Sequence, residues 1–202
     1  MSAPLPAPGA RLMIVLAPGA PTRPSDILAL LDKGDVAALI WRGPPDPQTV
    51  EAVQQRDVAV IMDGAPHQAA GLDGVHVSGL EALKPALSAM KPDGIVGVGG
   101  FANRHDAMTA GESGADYVLF GDLDGDPGEF PRTRDLAGWW AELFEVPCVA
   151  VAGSLDAVDA LARAGVDFIA LAGALVSGPQ AAAHVAEAQA RIAAARSDEA
   201  AR

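Results

Sequence analysis

The feature of this sequence that most constrains its fold is a regular alternation between short apolar runs and longer segments with helix signals. Eight runs rich in β-branched residues occur along the chain, and most are continuously apolar rather than alternately apolar and polar. Strands that are buried on both faces have this pattern, which is typical of a parallel sheet covered by helices. The eight runs are Leu12–Leu16, Val36–Trp41, Val58–Met62, Gly74–Val77, Gly94–Val98, Tyr117–Phe120, Val146–Val151 and Phe168–Leu171.

Helix start signals stand in several of the segments between these runs. Small polar residues occupy positions that suit N-caps, and prolines occupy positions that suit first helical turns. The last segment, from Gln180 to about Arg196, is rich in alanine and predicts a long helix. The unit near Pro66–Ala70 predicts only a very short helix. The start signals are Ser25–Asp26, Pro47, Asn103 and Ser154.

These signals predict a single (β/α)₈ TIM barrel over residues 11–196. The 202 residues suffice for one sizeable core and lie near the lower limit of about 200 residues for this architecture. A doubly wound open sheet is the alternative. It is disfavoured because no glycine-rich dinucleotide turn follows the first run and no long crossover marks a reversal of strand order. Residues 1–10 and 197–202 are predicted to be flexible tails.

Charge and composition restrict the class of partner. The net charge is −12 and no lysine or arginine cluster is present, which argues against binding to nucleic acid or to an anionic membrane surface. The apolar stretches are under ten residues long, too short for a transmembrane helix, and Met1–Ala10 lacks the pattern of a signal peptide. We therefore expect a cytoplasmic protein. Cys148, the single cysteine, is expected to be a small buried apolar residue.

In a barrel of this kind, the loops that leave the C-terminal ends of the strands form the functional site. Small residues follow the last two runs, where backbone N–H groups can approach a phosphate with a helix N-terminus behind them. The sequence thus predicts a phosphate-binding cup, for which a tight turn with an N-cap is the alternative explanation. The cup residues are Gly153, Ser154, Ala172 and Gly173.

The loop after the sixth run, Asp122–Glu129, carries acidic residues at alternating positions. Their oxygens could hold a hard cation. Pro127 and Thr133 stand where an EF-hand loop requires Gly and Glu, so that motif is excluded and a solvated acidic loop is the preferred interpretation. The four histidines share no metal-ligand spacing, and His76 is expected to pack at a strand end.

Four phrases occur in a fixed order along the chain: LDGVHV at Leu72–Val77, GADYVLFG at Gly114–Gly121, VPCVAVAG at Val146–Gly153 and AGVDFIA at Ala164–Ala170. Together they resemble thiamine-phosphate synthases and the related thiazole tautomerases, over about residues 11–190. The resemblance implies a TIM barrel of thiamine biosynthesis that joins a hydroxymethylpyrimidine diphosphate to a thiazole phosphate, with Mg²⁺ on the diphosphate. Small phosphorylated molecules are the implied partners, and a homo-oligomer is left open.

The resemblance also implies roles for individual residues. Arg42 would be the catalytic clamp on the diphosphate, while Asp63 and Glu81 would hold Mg²⁺, with Glu81 in place of the family's aspartate. The family's two lysine positions are replaced by Pro44 and by the acidic Asp122–Glu129 loop. Because a departing diphosphate needs positive charge, we expect slow or undetectable synthesis unless metal offsets the loss. Arg42, Asp63, Glu81 and Gly153 should lie at one end of the barrel.

Two alternative functions are left open at this point. A thiazole tautomerase-like isomerase would need a general acid–base group, for which His105 is the candidate. A catalytically degenerate barrel would bind a phosphorylated ligand or a partner without chemistry.

Overall fold

The computed structural model describes residues 9–20 and 23–200, with side chains described as far as residue 198. Eight parallel strands close into one barrel in sequence order, and the first strand pairs with the eighth. The predicted single (β/α)₈ barrel is confirmed and the open sheet is excluded. The strands are β1 (Arg11–Leu16), β2 (Val36–Trp41), β3 (Ala59–Asp63), β4 (Gly74–Ser78), β5 (Ile95–Gly99), β6 (Tyr117–Phe120), β7 (Cys148–Ala152) and β8 (Phe168–Leu171).

Helices connect the strands along the outside of the barrel. The connection between β3 and β4 contains only a 3₁₀ turn, Pro66–Gln68, in agreement with the very short unit that the sequence predicts there. Further 3₁₀ turns occupy Pro127–Glu129 and Gly173–Leu175. The α-helices of the described residues are α1 (Pro24–Leu31), α2 (Pro47–Gln54), α3 (Leu80–Met90), α4 (Arg104–Glu112), α5 (Phe130–Leu143), α6 (Leu155–Arg163) and α7 (Ala181–Ala200).

Three of the four predicted helix starts are as expected, and the first of them is α2, which begins at Pro47. The side chains of Asn103 and Ser154 each accept a hydrogen bond from the backbone N–H three residues later, and they cap α4 and α6. The prediction for α1 is wrong, because that helix begins at Pro24 and its N-cap is Arg23 rather than Ser25. A proline fits the first helical position well, since its fixed φ is helical and no N–H is lost there.

The ends of the chain are only partly described. Helix α7 continues to Ala200, about one turn beyond the predicted end at Arg196, so the tail predicted over residues 197–202 is helical as far as residue 200. Residues 1–8 and 201–202 lie outside the described residues, and the flexible tails remain a prediction there.

Alternate residues of each strand face opposite sides of the barrel wall. On β1, Leu12, Ile14 and Leu16 pack outward against the helices, whereas Met13 and Val15 belong to a separate apolar cluster. This second cluster fills the barrel interior, and the same alternation continues to the strand ends, where the functional side chains are expected. Its other buried members are Ala38, Ile40, Ile61, Tyr117, Leu119, Val149, Val151, Ala170 and Ala172.

Tyr117 is the bulkiest side chain of the interior cluster, and Gly97 makes room for it. The two residues pair in the register of β5 and β6, and a Cβ atom on Gly97 would lie 1.9 Å from Tyr117 Cζ. Real Cβ atoms do not approach a ring carbon so closely. Glycine is therefore required at position 97 by packing rather than by backbone conformation.

Cys148 lies at the start of β7 on the outward face and is fully buried. Burial raises the pKa of its thiol, so the thiolate that reacts with oxidants and electrophiles is disfavoured. The prediction of a small buried apolar residue is confirmed.

Among the described residues, no helix combines the length and apolar character needed to span a bilayer.

We expect Gly97→Ala to lower the free energy of unfolding by about 1–3 kcal/mol, because the added methyl group overlaps a ring that cannot move in the packed interior. Urea unfolding followed by circular dichroism measures the change. The matched control is Gly138→Ala in the middle of α5, where the nearest atom, Ala164 Cβ, is at an ordinary 3.8 Å. There, alanine should stabilise the helix by up to about 1 kcal/mol. Equal effects at the two positions would contradict the packing argument.

Candidate functional site

The inward-facing alternation brings polar side chains to the C-terminal end of the barrel. Arg42 directly follows β2, Asp63 is the last residue of β3, and Gly153 directly follows β7. Glu81 lies exposed in the first turn of α3, three residues beyond the end of β4 at Ser78. These four residues were predicted to lie at this end, and all of them follow or end strands there.

Arg42 is the centre of the charged cluster at this end. Its Nε donates to Asp63 Oδ2 at 3.2 Å, and its Nη1 donates to a carboxylate oxygen of Asp124 in the β6–α5 loop. The Arg42 and Asp63 side chains are 20% and 27% exposed, whereas that of Asp124 is 66% exposed. One positive charge thus faces two negative charges, and the more exposed contact is the one with Asp124.

The surroundings change the pKa values of the buried pair. Burial raises the pKa of the Asp63 carboxyl above its ordinary value, although the positive charge of Arg42 acts in the opposite direction. Burial acts to lower the pKa of Arg42, but the hydrogen bonds and charges of Asp124 and Asp63 outweigh it and the pKa is raised. The guanidinium therefore stays charged, with Asp63 and Asp124 as its partners.

A polar pair inside the barrel lies close to this cluster. His76 is the middle residue of β4, pairs in register with Asp63, and is 3% exposed, so the expected position at a strand end is wrong. Its Nδ1 is 3.2 Å from the Tyr117 hydroxyl, and the two rings stack with centroids 5.7 Å apart. Burial lowers the pKa of His76 to about 4 and raises that of Tyr117. Both rings are neutral at pH 7.

The structure brings the predicted phosphate cup together but covers it. Gly153 and Gly173 follow the neighbouring strands β7 and β8, and the loop between β6 and α5 lies directly over them. A Cβ atom on Gly153 would be 2.1 Å from the Gly125 carbonyl oxygen, and one on Gly173 would be 2.8 Å from the Asp124 carbonyl oxygen. The Ser154 hydroxyl already accepts from the first turn of α6.

Two cavities adjoin the acidic loop at this end of the barrel. The larger, about 330 Å³, lies between the ends of β5 and β6 and the start of α5, and its lining includes Gly100, Asp122 and Arg132. The smaller, about 90 Å³, lies between the acidic loop and the cup, with Gly153 and Ser154 in its wall. Cavities that enclose a small-molecule ligand usually exceed about 300 Å³. The space left at the cup is therefore too small for a phosphorylated heterocycle.

The carboxylates at this end suit Mg²⁺ only as part of its coordination. Among the described residues, no three acidic, histidine or cysteine side chains are grouped closely enough to hold a metal ion. Asp63 keeps Oδ1 without a hydrogen bond from any described residue, and exposed Glu81 follows the adjacent strand. Mg²⁺ commonly takes one or two carboxylates and completes its shell with water and substrate phosphates. The donor set fits that mode of binding.

His105, the candidate acid–base group of an isomerase, follows β5 at this end of the barrel and is not part of the charged cluster around Arg42. It is exposed in the first turn of α4 and lines neither cavity. This position does not favour the isomerase hypothesis.

Sequence reasoning missed the residues that close the mouth. Asp122, Asp124 and Asp126 are exposed as expected, but Asp124 pairs with Arg42, and Leu123 packs against the interior cluster. The interpretation of a purely solvated loop is thus wrong for the segment around Asp124. The sequence carried no specific signal for these contacts, because a single apolar residue is common on protein surfaces.

Comparison with known proteins shows which family this chain is similar to. The sequence profile described as thiamine monophosphate synthase matches residues 47–175. A thiamine-phosphate synthase from Rhodospirillum centenum is 40% identical over 169 residues, which cover 76% of this chain and 82% of the relative. A thiamine-phosphate synthase from Hyphomonas neptunium is 34% identical over 161 residues, which cover 70% of this chain and 73% of the relative. The solved thiamine phosphate pyrophosphorylase from Pyrococcus furiosus superposes with a TM-score of 0.74 at 19% identity, covering 92% of this chain and 96% of that one.

The buried histidine predicts a pH dependence of stability. Between pH 6.5 and pH 4, the unfolded chain binds a proton at His76 that the folded protein does not, so the free energy of unfolding falls as the pH is lowered. We expect His76 to account for a loss of about 2 kcal/mol between pH 7 and pH 5. Urea unfolding at the two pH values measures it. In His76→Gln the loss should be smaller by this amount, and an unchanged loss would refute the assignment.

Proposed function

The chain belongs to the thiamine monophosphate synthase family of transferases, and on this premise we propose how it joins a hydroxymethylpyrimidine diphosphate to a thiazole phosphate. The observation that carries the proposal is the Arg42–Asp63 pair at the C-terminal end of the barrel. The pair combines a permanent cation with a half-buried acid at the position where barrels of this kind hold their substrates. The proposed partners are small phosphorylated molecules, and a cytoplasmic location remains a prediction.

We propose that Arg42 is the cationic clamp for the diphosphate. Asp63 holds the guanidinium through Nε, which leaves the terminal nitrogens directed away from this contact. A guanidinium fixed at one edge presents its other donors in a fixed plane, and this geometry suits paired phosphate oxygens. The departing diphosphate accumulates negative charge as the C–O bond breaks, so Arg42 stabilises the transition state more than the bound substrate.

The uncharged side chains of the barrel interior below the site suit the formation of the pyrimidine cation. The chemistry that the family implies is dissociative, so a pyrimidine cation forms before the thiazole nitrogen attacks it. A protonated imidazole below the site would repel that cation, but burial keeps His76 neutral at pH 7. The neighbouring interior side chains, Ile61 and Leu119, are apolar and buried, and they restrict the access of water to the cation.

We propose that Asp63 and Glu81 hold Mg²⁺ together with the diphosphate. When bound, the ion would offset the charge of the leaving group, which Arg42 alone cannot do beside two aspartates. The cup formed by Gly153, Ser154, Ala172 and Gly173 would take the thiazole phosphate once the acidic loop has moved. The N-terminus of α6 lies behind the cup and favours an anion there.

We expect turnover below about 1 s⁻¹, because one arginine replaces the family's larger set of cations. Arg42→Ala should lower kcat/KM by about 100-fold, and Arg42→Lys should recover only part of it because a lysine cannot make paired hydrogen bonds. Steady-state kinetics with both substrates measures the effect. The control is Arg11→Ala, which removes an arginine paired with Asp35 at the opposite end of the barrel and should change kcat/KM less than about twofold. Tight binding of phosphorylated ligands without turnover would favour the non-catalytic alternative.

Magnesium dependence tests the proposed carboxylates separately. Asp63→Asn keeps an oxygen for Arg42 but removes a charge, so the Mg²⁺ concentration for half-maximal rate should rise about tenfold or more. Glu81→Gln should act in the same direction. Glu112→Gln, at the last residue of α4 and hence at the far end of the barrel, is the control. A rate that does not respond to Mg²⁺ in any variant would contradict the metal proposal and leave the role of Arg42 intact.

A further inference from the structure

The loop between β6 and α5 is more than a connection, because it packs on the turns that would bind the ligand. Gly125 has φ +76° and lies so close to the turn after β7 that a Cβ atom on it would be 3.2 Å from Gly153 Cα and 3.3 Å from Ala172 Cβ. The approach is possible because both facing positions, 125 and 153, are glycines. The carbonyl oxygens of Asp124 and Gly125 therefore lie against backbone that a phosphate would need to contact.

A second contact anchors the same loop at the centre of the barrel mouth. Leu123, next to Asp124, packs against the apolar cluster of the interior. Its neighbours in the chain, Asp122 and Asp124, are exposed, so the leucine is the only residue of this short stretch that faces inward. The loop thus covers the mouth with an apolar side chain as well as covering the cup with its backbone.

The third contact is the ion pair with Arg42, which joins residues 82 positions apart in the chain. It occupies Nη1, a terminal nitrogen of the guanidinium that a diphosphate would also use. The Asp124 side chain is 66% exposed, and ion pairs this exposed contribute little to stability. A doubly or triply charged ligand can therefore displace this carboxylate.

We propose that residues 121–129 form a lid that closes the site without ligand, and that Asp124 is a built-in competitor for the anion position of Arg42. Opening would begin when a phosphorylated ligand takes the Nη1 donor from Asp124. Leu123 and Gly125 would then leave the mouth and the cup together, since they lie on either side of Asp124. Gly121 and Gly125, both with positive φ, give this segment the backbone freedom to move. The identity of the ligand rests on the proposed function; the closing contacts do not.

Three full-length variants separate the parts of this proposal. Asp124→Asn removes the charge that pairs with Arg42. Gly125→Ala leaves every charge in place and forces the loop away from Gly153. Asp126→Asn is the matched control, since it removes a charge from the same loop, and among the described residues its carboxylate accepts from Gly128 N within its own turn.

Two readouts apply to each variant. Hydrogen–deuterium exchange without ligand reports opening of residues 122–129, and calorimetric titration with inorganic pyrophosphate and Mg²⁺ reports the anion site. We expect Asp124→Asn and Gly125→Ala to speed exchange in this segment and to tighten pyrophosphate binding about three- to tenfold. The affinity rises because a smaller fraction of the protein is in the closed state that cannot bind the anion. Asp126→Asn should leave exchange unchanged and alter the affinity less than twofold.

The outcomes distinguish the lid from the proposed function. If Asp124→Asn and Asp126→Asn tighten binding equally, the effect is one of net charge and the lid proposal is overturned. It is also overturned if exchange in residues 122–129 is unchanged in both Asp124→Asn and Gly125→Ala. If pyrophosphate binds to none of the proteins while exchange rises as expected, the closing contacts stand and the anion site of the proposed function fails.

Discussion

The interior of an eight-stranded barrel has room only for the side chains of its own strands. Which side chains fill the interior determines which charged groups lie at the mouth. Here, two polar rings, His76 and Tyr117, occupy the space beneath the mouth, and Gly97 contributes no side chain so that they fit. One hydrogen bond joins the Tyr117 hydroxyl to His76 Nδ1, and both rings remain neutral. Charge is thereby kept out of the interior and is carried by the strand ends, where water still reaches Arg42 and Asp63.

The electrostatics of the mouth are unusual for a site that would take two phosphorylated substrates. A single half-buried arginine faces Asp63 and Asp124, and further acids follow along the same loop. Such a surface repels a diphosphate unless a cation accompanies it and unless one of the carboxylates moves away. The proposed dependence on metal and the proposed movement of the loop therefore both follow from one charge imbalance. In the proposed mechanism, these two properties would let a member of this family bind a diphosphate with an arginine and without the two lysines.

Much of the fold could be predicted because it follows from local pattern. Continuous apolar runs located all eight strands, and the caps at Asn103 and Ser154 located two helices, since these signals lie within a few residues of the structure that they specify. Strand order then placed Arg42, Asp63 and Gly153 at one end. The contacts that the sequence did not reveal are long-range. Nothing local in position 124 indicates a partner 82 residues away, and Gly97 is explained only by the ring on the next strand.

The buried position of Cys148 has a practical consequence for following the loop in solution. It is the only cysteine of the 202 residues, it is fully buried, and its raised pKa keeps the thiol in its unreactive form. A cysteine introduced at an exposed loop position such as Asp126 would be the one thiol that a maleimide dye or a nitroxide spin label could reach. The native protein therefore serves directly as a background-free scaffold for distance measurements by fluorescence or paramagnetic resonance, with no need to remove a natural cysteine first.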